Sequence, residues 1–345
     1  MKLLVVTQKV DSQDSNLGFF HNWLLAFSEK ADLIVIANEL GTHSLPDRKV
    51  KIFSLDKFQN NRFKKFWEYR RLLKQHLGQV DGVFFHMCPE YVVAAGFLPH
   101  SFGKKTLFWY THKSVNWRLR LAEKLVNKIF TASKESFRLP SKKVEVVGHG
   151  IDWEKTGQIS TAVIINSKPA KLLSIGRIAP VKNLEVLIRA ILELKNKYKR
   201  EVRLDIIGSP IFPEDYIYQE KLIKLVQELN LQNEVCFLGG KIYQDLFYSY
   251  STHSVFVHAS ETGSLDKVVL EALAAGMQVF TSSEAYNDFG NTIFRFRKND
   301  YEDLADKIES AYRHDKIKYN QTGHNLIKSR FGLTSLVVKI INYFR

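Results

Sequence analysis

The sequence predicts an α/β protein built from two doubly wound domains, and three observations carry that expectation. Short β-branched or aromatic runs recur along the 345 residues at intervals wide enough for an intervening helix. Most of the runs are apolar without alternation, as in parallel strands that helices cover on both faces. The length exceeds what one hydrophobic core usually supports and suits two domains of ordinary size.

In the first half the runs are KLLVV, LIVIA, VKIF, GVFFH, TLFWY, KIFTA and VEVVG; in the second they are KLLSIG, RLDIIG, VCFLG, SVFVHA and QVFTS. Amphipathic stretches such as residues 183–199 separate them and predict helices. The division falls where Gly148, Gly150 and the polar stretch DWEKTGQIST interrupt the strand series. This gives a first domain over residues 1–152 and a second over residues 153–328. The last stretch, residues 329–345, contains the amphipathic LTSLVVKIINYFR and predicts a terminal helix. DYEDLADKI, after Asn299, reads as a capped helix start with acidic residues in its first turn, not as a metal-binding Asp-x-Asp pair.

Composition narrows the class. With 45% apolar and 25% charged residues the chain is expected to fold rather than stay disordered. Cys88 and Cys236 stand far apart with no ligand spacing around either, which argues against a disulfide framework or a thiolate zinc site. A cytoplasmic location is expected. The apolar start MKLLVVT is interrupted at Lys9 and Asp11, too soon for a signal-peptide core, and Glu271 breaks the run VVLEALAAGMQVF. No membrane span is predicted.

The net charge is +14, and residues 1–150 carry 24 Lys and Arg against 13 Asp and Glu, so most of the excess lies there. That half is expected to meet something anionic: a phosphate-bearing acceptor, an acidic lipid surface or nucleic acid. A basic surface serving solubility alone is the other reading. Residues 61–78, NRFKKFWEYRRLLKQHLG, set Phe63, Phe66, Trp67, Leu73 and Leu77 at helical spacing with basic residues on the remaining faces. Such a helix either lies on anionic lipid, placing the protein peripherally on the membrane, or covers a sheet with a solvated basic face. Nucleic-acid binding would be nonspecific, because no recognised nucleic-acid motif is present.

Two strand-end motifs carry the chemistry. In residues 174–183, SIGRIAPVKN, a strand ends at Gly176, Arg177 follows, and Lys182 stands five residues on at a helix start. A planar guanidinium and a compact ammonium on one loop suit a diphosphate, and Gly176 permits close backbone approach. Ordinary solvated charges beside a turn are the alternative. In residues 260–276, SETGSLDKVVLEALAAG, a small polar loop after a strand gives way to a helix. Backbone amides from Ser264 through Leu265, Asp266 and Lys267 to Val268 would favour a phosphate there. Glu271, one turn inside, could accept hydrogen bonds from two adjacent ribose hydroxyls or merely complement the helix dipole.

Taken together, SIGRIAPVKNLEVLIRAI, LDIIGS, VCFLGG and LDKVVLEALAAG, in this order and spacing, resemble glycosyltransferase family 4, whose fold is GT-B. The resemblance covers most of residues 170–290; upstream only TLFWYTH, ending at His112, TASKES and VVGHGID match. It implies two Rossmann-like domains facing across a cleft, the first on the acceptor side and the second holding a nucleotide sugar. It implies that Arg177 and Lys182 hold the donor diphosphate, that Glu271 binds the ribose, and that Gly240 and Lys241 lie beside the base. Gly18 would approach the phosphates and His112 would face the donor sugar. The terminal helix would pack back on the first domain. The reaction implied is transfer of a sugar, with retention of configuration, to a glycan or lipid-linked glycan, without a metal ion and with no cofactor besides the nucleotide-sugar substrate.

The sequence departs from the family at Gly263, where a glutamate is expected eight residues before Glu271. Asp266, with Lys267, is expected to supply that carboxylate at the donor site, and Glu261 of the same loop is the other candidate. The alternative is a noncatalytic protein that keeps the fold for nucleotide-sugar binding or scaffolding. Gln278, where proline is usual, is a matter of packing.

Overall fold

Alternation of apolar runs and amphipathic helices resolves into two parallel sheets. A computed structural model describes residues 1–156 and 169–345; the GQIST part of the polar stretch at the expected division lies outside the described residues. The chain separates into one unit of Met1–Gly150 with Phe331–Arg345 and another of Ile151–Arg330.

In the first unit the elements run β1 (Lys2–Val10), α1 (Phe19–Lys30), β2 (Asp32–Leu40), β3 (Val50–Ser54), α2 (Arg62–Leu77), β4 (Gly82–His86), α3 (Pro89–Ala95), α4 (Leu98–Ser101), β5 (Lys105–Trp109), α5 (Trp117–Leu125), β6 (Lys128–Thr131) and β7 (Val144–Val146). The strands form a seven-stranded sheet in the order β3-β2-β1-β4-β5-β6-β7. Every pairing is parallel. Successive residues of β1 point to opposite faces, so Leu3 and Val5 join one core with Phe20, Trp23 and Phe27 of α1. Leu4 and Val6 join the other, with Leu72, Leu73 and Leu77 of α2. Asn61 starts α2 by accepting the Lys64 amide at 2.9 Å, and Asn116 does the same for α5 from Leu119.

The second unit runs α6 (Trp153–Thr156), β8 (Ala170–Ile175), α7 (Leu184–Asn196), β9 (Val202–Ile207), α8 (Pro213–Glu228), β10 (Val235–Phe237), α9 (Tyr243–Ser251), β11 (Val255–His258), α10 (Lys267–Ala274), β12 (Gln278–Thr281), β13 (Phe294–Arg295), α11 (Tyr301–Arg313) and α12 (Gln321–Arg330). Its six strands, again all parallel, take the order β10-β9-β8-β11-β12-β13. Asp300 caps α11 by accepting the Asp303 amide at 2.8 Å. The chain then returns to the first unit as α13 (Leu333–Phe344), whose Leu336, Val337, Ile340 and Phe344 share the core of α1.

One expectation needs correction. The apolar residues expected along α2 differ in burial: Leu73 and Leu77, with Tyr69 and Leu72, are buried, whereas Phe63, Phe66 and Trp67 are exposed. At 100° per residue Phe66 falls between Leu73 and Leu77, so the difference follows position along the helix, whose second half seals the sheet while its first turns do not.

Candidate functional site

Strand order reverses between β8 and β11 in the second unit, and open parallel sheets bind ligands outside the carboxyl ends of strands at such a switch point. The loop after β8 carries Gly176, Arg177 and Lys182; the segment from the end of β11 to the start of α10 carries His258 through Lys267. The two meet directly. The Glu261 amide donates to the Val181 carbonyl at 2.8 Å, and Lys182 Nζ donates to Asp266 Oδ2 at 2.5 Å.

Both cations are paired with carboxylates, Asp215 fully buried and Asp266 half-buried. Arg177 Nε lies 3.6 Å from Asp215 Oδ2, and its guanidinium lies over the Phe212 ring at 5.0 Å. Asp215 is itself fixed at the start of α8, where Oδ2 accepts the Ile211 and Phe212 amides. The backbone beneath Arg177 is tight: a Cβ on Gly208 would stand 1.8 Å from the Gly176 carbonyl oxygen, so β8 and β9 end in two touching glycines.

Asp266 is the hub of a second group. Its Oδ2 also accepts from His258 Nε2 at 2.9 Å, its Oδ1 accepts from the Thr262 hydroxyl at 3.3 Å, and its amide donates to the Tyr286 hydroxyl. Burial pushes the Asp266 carboxyl up, but Lys182 and His258 outweigh it and hold it well below the usual carboxylate range. Burial keeps His258 below the ordinary imidazole value against the pull of Asp266. An ionised carboxylate only accepts, so neutral His258 carries its proton on Nε2, and Nδ1 accepts from the Thr281 hydroxyl at 2.9 Å.

Glu271 lies one turn into α10 and is only 2% exposed. Tyr250 donates to its Oε2 at 2.8 Å, and Lys267 Nζ stands 3.9 Å from Oε1. Burial pulls the Lys267 ammonium down to about 8, with Glu271 and Asp152 opposing. The ribose ligand expected from the sequence is thus a carboxylate already engaged by the Tyr250 phenol.

Among the other sequence-derived candidates, Gly240 and Lys241 follow β10, where Lys241 Nζ donates to Ser249 Oγ at 3.1 Å. Ser264 and Leu265 lie in the loop before α10, with Leu265 buried. Glu261 faces a polar pocket of about 130 Å³ shared with Ser260, Gly263, Ser283 and Glu284, and lies 3.4 Å from Lys298. In the first unit Gly18 immediately precedes α1, and His112 follows β5 exposed, its Nδ1 accepting the Ser114 amide at 3.1 Å. Desolvation and then Lys113 lower the His112 pKa. His258, Asp215 and Tyr250 escape sequence reasoning; only His258, ending the SVFVHA run, offered a signal.

Residues 157–328 match the family model described as glycosyl transferases group 1. The second unit is a group 1 glycosyltransferase domain. Over 86% of this chain and 88% of the relative, the sequence is 26% identical to the N-acetylgalactosamine-N,N'-diacetylbacillosaminyl-diphospho-undecaprenol 4-alpha-N-acetylgalactosaminyltransferase of Campylobacter jejuni. Among solved structures, HepE of Anabaena in complex with UDP superposes at a TM-score of 0.75, with 15% identity over 99% of each chain. Sucrose-phosphate synthase of Thermosynechococcus elongatus superposes at 0.77, with 14% identity over 100% of this chain and 98% of the other. The fold is therefore GT-B, two Rossmann-like α/β units, and in the group 1 domain the Arg177 and Lys182 loop occupies the switch point.

Proposed function

We propose that this protein is a retaining glycosyltransferase that moves a sugar from a nucleoside diphosphate donor to a lipid-linked glycan. The observation that carries the reading is the pair of cations at the switch point, Arg177 and Lys182, each ion-paired with a carboxylate of its own unit. When the bond between the anomeric carbon and the diphosphate oxygen breaks, its electron pair moves onto the diphosphate. Arg177 and Lys182 stand ready to meet that charge without reorganising, and the reading needs no metal ion. Asp266 sets the position of Lys182, which leaves Glu261, lining the neighbouring polar pocket, as the carboxylate for sugar hydroxyls in place of the glutamate absent at Gly263. Exposed His112 is assigned to the sugar side of the reaction, and Gly18 to the approach of the phosphates.

A lipid-linked acceptor is supported by the name of the Campylobacter relative, which acts on a diphospho-undecaprenol-linked sugar, and UDP is the first nucleotide to try because HepE binds it. The test is a thermal-shift panel of nucleoside diphosphates and nucleotide sugars on the wild type and on Arg177→Ala. A ligand present at a hundred times its Kd stabilises the wild type by about 2.7 kcal/mol; the shift should vanish in the variant. A shift that survives Arg177→Ala would place the nucleotide elsewhere. Gly263 favours a second reading, a nucleotide-sugar-binding protein without transfer, which predicts the same shift but no product with any lipid-linked acceptor.

A further inference from the structure

Two donors converge on one oxygen of Asp266: Lys182 Nζ and His258 Nε2 reach Oδ2 at 2.5 and 2.9 Å. A single carboxylate thus serves the cation assigned to the donor diphosphate and an imidazole to which the transfer has given no part. His258 ends β11 and is only 4% exposed. Among the described residues, the charged groups acting on it are Asp266 from the segment before α10, Lys182 from the loop after β8 and Arg295 from β13. The strand β12 offers the neutral Thr281, whose hydroxyl lies 2.9 Å from Nδ1, and the Tyr286 ring stands edge-on at 5.8 Å. Burial, with Lys182 and Arg295 behind it, holds the imidazole below its ordinary value against Asp266, so drawing Lys182 off favours a proton there.

A diphosphate bound at Arg177 and Lys182 gives the Lys182 ammonium a second anion to serve. Asp266 then stands beside an incoming negative charge with only a share of its cation, its other partners being the neutral His258 N–H on Oδ2 and the Thr262 hydroxyl on Oδ1. A carboxylate left so is costly unless another cation makes up the difference. His258 can become that cation without moving. Its Nε2–H already donates to Asp266, and a proton on Nδ1 would meet Thr281 Oγ1, which has two acceptor positions and gives one of them to the Ser283 amide at 3.1 Å. We propose that His258 is a positioning residue that lets Asp266 share Lys182 with the donor: as the diphosphate draws on Lys182, His258 takes a proton from solvent on Nδ1 and becomes the second partner ion of Asp266. The exchange takes place on binding, before the sugar bond breaks, and the proton leaves again with the nucleotide. Asp215 needs no such relief, because it also accepts the Ile211 and Phe212 amides and stays compensated when Arg177 engages the donor. The inference rests on the donor reading of Arg177 and Lys182 and adds a proton to it.

UDP is titrated into the full chain by calorimetry at about pH 6.5, in two buffers of different ionisation enthalpy, which counts the protons taken up on binding. The wild type should take up about half a proton more per UDP than His258→Gln, whose amide can still donate to Asp266 but cannot ionise. The terminal phosphate of UDP titrates nearby, at about 6, and contributes alike to both proteins. By the same linkage the wild type should bind UDP about five-fold tighter than the variant at about pH 6 and equally at about pH 8. Equal proton counts, or an affinity lost equally at both pH values, would overturn the proposal and leave the donor reading intact. Wild type that binds no UDP would sink the donor reading, and the proposal with it. A second arm needs no nucleotide: Lys182→Met imitates the extreme in which the ammonium has gone. The His258 ring resonance, identified by its absence from His258→Gln, should titrate about one pH unit higher in Lys182→Met than in the wild type. A midpoint that does not move would refute the exchange whatever the calorimetry gives, and a merely structural His258 predicts that result.

Discussion

Replacing Asp266 with asparagine tests the central claim about the site, that this carboxylate exists to hold Lys182. The Lys182 and Asp266 side chains are only 18% and 14% exposed, and Nζ and Oδ2 are 2.5 Å apart. Removing one partner of a buried pair costs about 3–5 kcal/mol, because the other charge is left without compensation. The residual exposure of Lys182 puts the loss at the low end, about 3 kcal/mol, and for a unit of this size that lowers Tm by about 6–12 °C. A nucleoside diphosphate supplies the missing negative charge, so UDP should raise the Tm of the variant by more than that of the wild type. Transfer should nevertheless slow by about ten-fold or more, a loss of about 1.4 kcal/mol in transition-state stabilisation, because Lys182 has lost its anchor. The assay is a pair of melting curves with and without UDP, followed by sugar-transfer kinetics. If Asp266 touched the sugar instead, the unliganded Tm would hardly move. UDP would then shift both proteins equally, and only KM for the nucleotide sugar would rise, a result that refutes the argument.

Two pH dependences follow from the same geometry. His258 is held neutral with its pKa below the ordinary value, so below about pH 6.5 the unfolded chain binds a proton that the native protein refuses, and stability falls as pH drops through that window. Melting curves of His258→Gln should lack this part of the acid slope. Lys267 ionises near 8 in the folded protein against 10.5 for the free side chain, so native stability should rise between those values by up to about 3 kcal/mol. Denaturant titrations of Lys267→Met across that range should show the rise abolished.

Much of the architecture was legible because it is local. Parallel strands buried on both faces must be nearly continuous apolar runs, so each of the twelve predicted runs marks a strand. The thirteenth strand, Phe294–Arg295, is two residues long and exists only through its pairing with β12, which no local pattern announces. The α2 helix was legible as a helix but not in its orientation, since the wide stripe from Phe63 to Leu77 also fits a single buried face. At the switch point, Arg177 and Lys182 are five residues apart on one loop and could be read as a pair. Their partners could not: Asp215 reaches Arg177 from 38 positions away and Asp266 reaches Lys182 from 84. Separation in sequence likewise hides Tyr250, whose phenol reaches Glu271 from 21 positions away.

The path of the chain has a consequence for how the protein is made. The core around Trp23 takes one of its walls from α13, with Leu333 packed against the place a Cβ on Gly150 would occupy, and Phe344 against that on Gly82. The polypeptide leaves the first unit at Gly150 and comes back only at Phe331. A ribosome adding residues one by one therefore exposes the apolar faces of β1 and α1 for on the order of tens of seconds before the segment that seals them emerges. The second unit, begun later, has all of its strands and helices in hand sooner. The usual order, in which the N-terminal part of a nascent chain finishes folding first, is inverted here. Throughout that interval the open side of the first unit is the surface a chaperone would have to guard.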